Sequence, residues 1–110
     1  MSEADTQYRI LKAYGSHPRL RLARINTGKA YPPGSTRLVK FGVPGTGDIV
    51  GLIAPTGRML MIEVKSKTGA QRPAQKVMQR VVTAFGGLYI VARSLTDVDQ
   101  ALAQLGITRC

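Results

Sequence analysis

The stretch that decides the fold is residues 47–67, GDIVGLIAPTGRMLMIEVKSK. Two apolar runs flank a Pro-Thr-Gly turn, which is the pattern of an antiparallel β-hairpin. In such a hairpin the numbers of paired residues have a constant sum, about 112 if the turn centres on Thr56. Asp48 and Glu63 sum to 111. The pattern therefore predicts that these two carboxylates lie side by side at one end of the hairpin.

Charged side chains are concentrated at this end of the hairpin. Alternation along a strand puts Glu63 and Lys65 on one face and the apolar Leu60 and Ile62 on the other. Two carboxylates in contact repel each other, and a divalent cation between them removes the repulsion. Mg²⁺ prefers such oxygen ligands and keeps waters that a phosphate group can replace. The spacing therefore predicts a Mg²⁺ site formed by Asp48 and Glu63.

A metal site gives the neighbouring residues definite roles. The backbone carbonyl of Val64 would supply a third oxygen ligand. The amine of Lys65 would orient a water molecule or stabilise charge on the attacked phosphate. The alternative is purely structural, with Lys65 forming a salt bridge that neutralises both acids at the end of a strand.

The overall charge indicates a polyanionic partner. The 110 residues suit one domain, 1–110, and carry 16 Lys and Arg against 6 Asp and Glu, a net charge of +10. Between residues 9 and 93 there are fifteen basic residues, and the acids there are Asp48 and Glu63. Such a surface attracts nucleic acid first. A merely basic protein without a nucleic-acid partner is the plain alternative.

Several other functions are disfavoured by the sequence. The single cysteine, Cys110, cannot form an internal disulfide or a zinc cluster. The N-terminal MSEADTQ does not resemble a signal peptide and no apolar run has membrane-spanning length, so we expect a cytoplasmic protein that binds no membrane. The loop GVPGTGD lacks the Lys-Ser/Thr of a P-loop, so no nucleotide cofactor is expected. Aromatic residues are scarce, which favours recognition of backbone charge and substrate shape.

The remaining segments predict an α/β domain with a small mixed sheet flanked by helices, in the order αβββαβα. A helix is expected from Ser2 to Gly15, a strand from Leu20, and a long Gly/Pro-rich loop over 28–47 with at most one short strand near 37–41. A helix beginning at Pro73, the strand LYIVA and a helix after Ser94 complete the chain. The predicted apolar faces of the three helices contain Tyr8 and Leu11; Met78, Val82 and Phe85; and Val98, Ala101, Leu102 and Leu105.

The pattern Asp48, fourteen residues, then Glu63-Val64-Lys65 resembles the signature of the PD-(D/E)XK nucleases. The chain is most similar to the VRR-NUC branch of that superfamily, the virus-type replication-repair nuclease domain. The segments GVPGTGDIVG, MIEVKS, RPAQ and GGLYIVARSLTDV each resemble a motif of that branch, and together the resemblance spans residues 3–105. One departure is that PGTGD replaces the proline that usually precedes the first acid.

The resemblance implies a restriction-endonuclease-like fold and a Mg²⁺-dependent, structure-selective DNA endonuclease, with Mn²⁺ as a substitute metal. Stand-alone members of the branch are similar to Holliday-junction resolvases, hydrolyse phosphodiester bonds in branched DNA and act as homodimers in bacterial or phage-infected cells. Two alternatives stay open: a non-catalytic basic DNA-binding module, and a nuclease that acts on other DNA or RNA structures.

The resemblance also implies roles outside the hairpin. Gln75 matches the glutamine that supports the catalytic site from the following helix. Glu3 matches an additional acid of the first helix that can join the metal site, although an acid there also complements the helix dipole. Candidates for contact with DNA phosphates are Arg24, Asn26, Lys29, Lys67 and Arg72.

Overall fold

Three helices and six strands make up the described part of the chain. The computed structural model describes residues 2–25, 28–30, 33–34, 39–41 and 45–109. The elements in chain order are α1 (Glu3–Tyr14), β1 (Leu20–Arg24), β2 (Gly28–Ala30), β3 (Val39–Phe41), β4 (Ile49–Ile53), β5 (Arg58–Val64), α2 (Pro73–Ala84), β6 (Leu88–Ala92) and α3 (Leu95–Ala103). No helix in these ranges is long and apolar enough to cross a membrane.

The four longer strands form one mixed sheet. Their order is β1-β4-β5-β6, with antiparallel pairing of β1 with β4 and of β4 with β5, and parallel pairing of β5 with β6. The predicted α/β class, with a small mixed sheet and flanking helices, is confirmed. The segment 28–47 differs from its prediction because it contains two strands: β2 pairs with β3 in a separate two-stranded sheet. Each of these strands has three residues, too few to give an alternating pattern in the sequence.

The register of the β4–β5 hairpin differs by one from the symmetry argument. Ile49 pairs with Ile62 and Ile53 pairs with Arg58, so paired numbers sum to 111. The sum of 112 predicted for a turn centred on Thr56 is wrong by one because Ala54 belongs to the turn, which is one residue longer than assumed. The observed register continues directly to Asp48 opposite Glu63.

Helices cover the two faces of the sheet unequally. α1 and α3 cover one face, where the main core is formed by side chains that include Ile10, Tyr14, Ile49, Leu60, Ile62, Val64, Val98 and Leu102. α2 lies on the opposite face and contributes a smaller cluster with Met61, Val82 and Tyr89. The predictions for Val98 and Leu102 are confirmed, whereas those for Tyr8 and Phe85 are wrong: they are 65% and 89% exposed. Tyr8 lies away from the buried Ile10 and Tyr14 on α1, and Phe85 follows the last turn of α2.

Several elements meet at what we call the Val64 end of the sheet. β5 and β6 are parallel and both finish there, with Val64 paired to Ala92. β4 is antiparallel to β5 and therefore begins there. Asp48 directly precedes β4 and Lys65 directly follows β5, so the fold brings both residues to this end.

Candidate active site at the Val64 end of the sheet

Asp48 is fixed against β5 by a backbone hydrogen bond. The N–H of Val64 donates to Asp48 Oδ2 over 2.6 Å. Burial is the main cause that raises the pKa of Asp48 above its usual value, the Val64 N–H lowers that pKa, and the negative charges of Glu3 and Glu63 raise it further. Both acids therefore lie close enough to act electrostatically on Asp48.

Two glycines let the preceding loop approach its neighbours closely. A Cβ on Gly47 would lie 2.8 Å from the carbonyl oxygen of Ile62, and a Cβ on Gly45 would collide with the carbonyl oxygen of Ala74. Gly45 also has a φ of +83°, which a side chain disfavours. The Gly-rich sequence before Asp48 thus allows the loop to pass between β5 and α2. This course places the Asp48 carboxylate beside the Val64 N–H.

Glu63 is fully buried and only half satisfied. Its Oε1 accepts hydrogen bonds from the hydroxyl of Tyr89 at 2.5 Å and from Nε2 of Gln71 at 3.2 Å. Its Oε2 is buried without a hydrogen-bond partner among the described residues. Burial raises the pKa of Tyr89 well above its ordinary value, and the hydrogen bond to Glu63 raises it further, so the hydroxyl stays protonated as a donor. A buried carboxylate oxygen without a partner is costly and favours a cationic ligand.

Lys65 is the nearest cation to this oxygen. Its Nζ lies 3.7 Å from Glu63 Oε2, and its side chain is 10% exposed. Its backbone N–H donates to the carbonyl of Ala92 over 2.9 Å, which holds the residue beside β6. A separation of 3.7 Å is an ion pair but exceeds hydrogen-bond length. Oε2 therefore keeps an acceptor position for a ligand.

The glutamine that contacts the acid differs from the predicted one. Oε1 of Gln75 accepts from the backbone N–H of Arg72 over 2.8 Å and so caps the start of α2. Gln71, which the sequence analysis did not select, donates to Glu63 and also to Oε1 of Gln79 over 2.9 Å. Gln71 lies just before the helix that follows the Glu-x-Lys strand, and this position in the sequence could have identified it as a neighbour of Glu63.

Tyr89 was also missed by the sequence analysis. It lies in LYIVA, a strand predicted to be buried, and a buried tyrosine hydroxyl requires a polar partner. The residue pairs in register with Met61, two positions before Glu63 on the adjacent strand. That parallel pairing brings the hydroxyl to the carboxylate.

A surface arginine secures the loop that carries Gln71. Nη1 of Arg93 donates to the carbonyl oxygens of Ser66 at 2.7 Å and Gly69 at 2.6 Å. The backbone N–H of Gly69 donates in turn to Oγ of Ser66 over 3.0 Å. These bonds join the segment after β5 to the segment after β6 at the Val64 end.

The predicted phosphate contacts are only partly described. Arg24 ends β1 beside the first residue of β4, and Lys67 and Arg72 lie between β5 and α2; all three are exposed. They surround the Val64 end of the sheet. Asn26 lies outside the described residues, and Lys29 is described only as part of the backbone of β2.

The donor set at the Val64 end suits a small cation with oxygen ligands. Asp48 lies beside Glu63, whose Oε2 has no hydrogen-bond partner among the described residues. The Val64 carbonyl and the exposed Glu3 stay predictions as ligands. Within residues 2–25, 28–30, 33–34, 39–41 and 45–109, no three His, Cys, Asp or Glu side chains are grouped closely enough to hold a metal ion. Mg²⁺ commonly uses one or two carboxylates and completes its shell with water, so two acids fit it.

No protein-family model matches the chain, and no curated protein sequence matches it.

Proposed function

We propose that this protein is a Mg²⁺-dependent endonuclease of the VRR-NUC type within the PD-(D/E)XK superfamily, with the restriction-endonuclease-like fold of that superfamily. Its substrate would be branched DNA, its active form a homodimer and its location the cytoplasm. The observation that supports this most is the fully buried Glu63, whose Oε2 has no hydrogen-bond partner among the described residues and faces Lys65 at 3.7 Å. The fixed carboxylate of Asp48 completes the group.

The residues divide the work of hydrolysis between them. Asp48 and Glu63 Oε2 would hold the metal, and Tyr89 with Gln71 would keep the Glu63 carboxylate in one orientation. Mg²⁺, when bound, would neutralise charge on the scissile phosphate. Lys65, a buried cation beside the acids, would orient the attacking water or stabilise the charge that develops on the phosphate.

The charge of the whole chain supports a nucleic-acid substrate. A net charge of +10 on 110 residues attracts phosphate backbones from a distance. The exposed Arg24, Lys67 and Arg72 lie near the Val64 end of the sheet, where Asp48 and Glu63 meet. A strand drawn to these cations would bring its phosphates to the Val64 end of the sheet.

Cleavage assays with conservative variants test the proposal. Junction, flap, splayed-arm and linear duplex DNA are incubated with Mg²⁺ and the wild type, Glu63→Gln, Lys65→Met or Asp99→Asn. We expect the first two variants to lose cleavage by about 100-fold or more, because each removes a group that would act at the phosphate. Asp99→Asn is the matched control, since it neutralises a hydrogen-bonded acid of another cluster. Equal cleavage by the wild type and Glu63→Gln would refute the proposal.

A second candidate function is a DNA-binding module without catalysis. The Lys65–Glu63 ion pair favours it, because that pair together with the Tyr89 and Gln71 donors gives Glu63 a purely structural role. Such a module would bind DNA with strong salt dependence, and divalent metals would change neither its DNA binding nor its Tm.

Thermal unfolding distinguishes the two candidates. A metal that binds only the folded state raises Tm. Under the nuclease proposal Mg²⁺ or Mn²⁺ raises Tm of the wild type and of Asp99→Asn, but not of Asp48→Asn. Equal shifts in all three proteins would contradict a metal site at Asp48 and leave the binding module as the better account.

A further inference from the structure

A second surface feature begins near the Val64 end of the sheet. A groove of about 680 Å³ lies between α1 and α3. Tyr8, Arg9 and Lys12 of α1 line one side, and Leu95, the first residue of α3, and Arg109 line the other. None of these residues belongs to the acidic site described above.

The groove has a positive charge. Three of its lining residues are basic, and Asp5 is its acid. Arg9 and Lys12 are exposed and make no ion pair with any residue that the structure describes. Arg109 is already oriented, because its Nε donates to the carboxylate of Asp99 at 3.0 and 3.2 Å. The groove therefore presents Arg9 and Lys12, which pair with no described acid, and Arg109, which Asp99 holds in place.

Tyr8 adds an aromatic surface to these charges. It is 65% exposed in a chain that contains only four Tyr, two Phe and no Trp. Its ring contributes nothing to the buried cores of the described residues. An exposed aromatic ring between basic side chains is the usual platform for a stacked base.

The groove and the candidate active site meet at the Val64 end but lie on opposite faces of the sheet, because Glu63 shares the α2 face with Met61 and Tyr89. α1 begins at Glu3, whose charge acts on Asp48, and α3 follows β6, whose last residue accepts the Lys65 N–H. Both helices thus start at the Val64 end. At about 1.5 Å per residue, Arg9 lies about 9 Å and Lys12 about 14 Å along α1 from Glu3.

We propose that this groove binds one nucleic-acid strand that continues from the cleavage site, with phosphates on Arg9 and Lys12 and an unpaired base on Tyr8. The proposal rests on the proposed function, because it assumes that the strand is bound at the Val64 end. It assigns the groove to a strand without a complement, since a stacked base must be free of its pairing partner.

Binding measurements without cleavage test the proposal. Fluorescence anisotropy follows a labelled duplex with a single-stranded overhang, without divalent metal, in a Glu63→Gln background. The groove variant Arg9→Glu/Lys12→Glu is compared with Lys76→Glu/Arg80→Glu, a pair of exposed cations on α2 at the opposite face of the sheet. Each double variant changes the net charge by −4, from +10 to +6.

We expect the groove variant to bind at least about tenfold more weakly than the α2 variant. We also expect its slope of log K against log salt concentration to be smaller in magnitude by about two than that of the parent protein. Tyr8→Ala should weaken binding of the overhang substrate by about tenfold with an unchanged salt slope, whereas Tyr8→Phe should bind normally. Circular dichroism confirms that each variant is folded. Equal affinities of the two double variants, or normal binding by Tyr8→Ala, would overturn the proposal.

The assay separates this inference from the nuclease proposal. Cleavage by the wild type together with equal binding by both double variants would reject the groove alone. Loss of binding confined to the groove variants, in a protein that never cleaves, would reject the nuclease and leave the groove as a strand-binding surface that does not lead to a cleavage site.

Discussion

Glu63 shows how a single buried side chain can be oriented by its neighbours. Its Oε1 accepts from Tyr89 and Gln71, and these two donors leave Oε2 beside Lys65. Without the donors, a carboxylate with no exposed surface would lose its orientation and part of its compensation for burial. Oε1 therefore fixes the orientation of the carboxylate, while Oε2 stays available for a ligand.

Tyr89→Phe tests this separation. The variant removes a 2.5 Å hydrogen bond but keeps the ring, so we expect metal-dependent cleavage or metal affinity to fall about 10- to 100-fold. We also expect the free energy of unfolding to fall by about 1–3 kcal/mol, because Oε1 keeps only Gln71 as a donor. Steady-state cleavage and urea denaturation measure the two effects.

Tyr14→Phe is the matched control for that variant. It also removes a tyrosine hydroxyl that donates to a carboxylate, that of Asp99, away from the candidate site. It should lower stability while leaving the metal response unchanged. Equal loss of activity in both variants would show that Tyr89 acts only through stability.

At the scale of elements, one polar cluster joins α1, α3 and the residues that follow α3. The Tyr14 hydroxyl of α1 donates to Asp99 of α3, and Arg109 forms an ion pair with the same carboxylate. The Arg109 hydrogen bond is the main cause that lowers the pKa of Asp99, while burial is the main cause that raises the pKa of Tyr14 to about 12. The cluster thus ties the two helices that line the proposed strand groove.

The lowered pKa of Asp99 gives a stability change at acid pH. Its contribution is fully present above the ordinary Asp pKa of about 4 and is lost as pH falls through the lower folded-state value. Asp99→Asn should therefore destabilise the protein by about 1 kcal/mol near pH 7, and the gap to the wild type should narrow below about pH 4. Urea denaturation near pH 7 and below about pH 4 measures the difference in the free energy of unfolding between the variant and the wild type. A difference that grew in acid would contradict the lowered pKa of Asp99.

Elements differed in how far the sequence could predict them. Asp48 and Glu63 could be brought together in advance because both belong to one hairpin, where register follows from residue numbers. Tyr89 could not be placed against Glu63, because parallel pairing joins strands separated by a helix and leaves no local register signal. The sequence places Phe85 wrongly in the core, because helical periodicity gives a face of the helix but not the position at which its packing partner ends.

At the scale of the whole molecule, α2 and the sheet leave an apolar surface uncovered. Leu52 and Met59 pair across β4 and β5, and Val77, Val81 and Phe85 follow one side of α2. These five, between 43% and 89% exposed, are the large exposed apolar side chains of the described residues apart from Tyr8. The Arg58 beside them has its Nε committed to the carbonyl of Gly86 at 2.7 Å. Two copies at +10 each repel, so they can associate best through such a surface.

We therefore expect the proposed homodimer to use this surface. Val81→Ser/Phe85→Ser should convert the dimer to a monomer without altering the charge of the chain, as measured by light scattering after size-exclusion chromatography. Tyr8→Ser is the control, because it removes an exposed aromatic ring elsewhere and should leave the dimer intact. A wild type that stays monomeric, or a double variant that stays dimeric, would contradict this use of the surface.

The parallel partnership of β5 with β6 has a consequence for biosynthesis. Glu63 and Lys65 are translated before Tyr89 and Ala92, the residues that hold them from the neighbouring strand. A nascent chain whose β6 is still inside the ribosome can form the hairpin that brings Asp48 to Glu63, but it lacks the hydroxyl that orients Glu63. The proposed site would therefore be completed only when β6 docks beside β5.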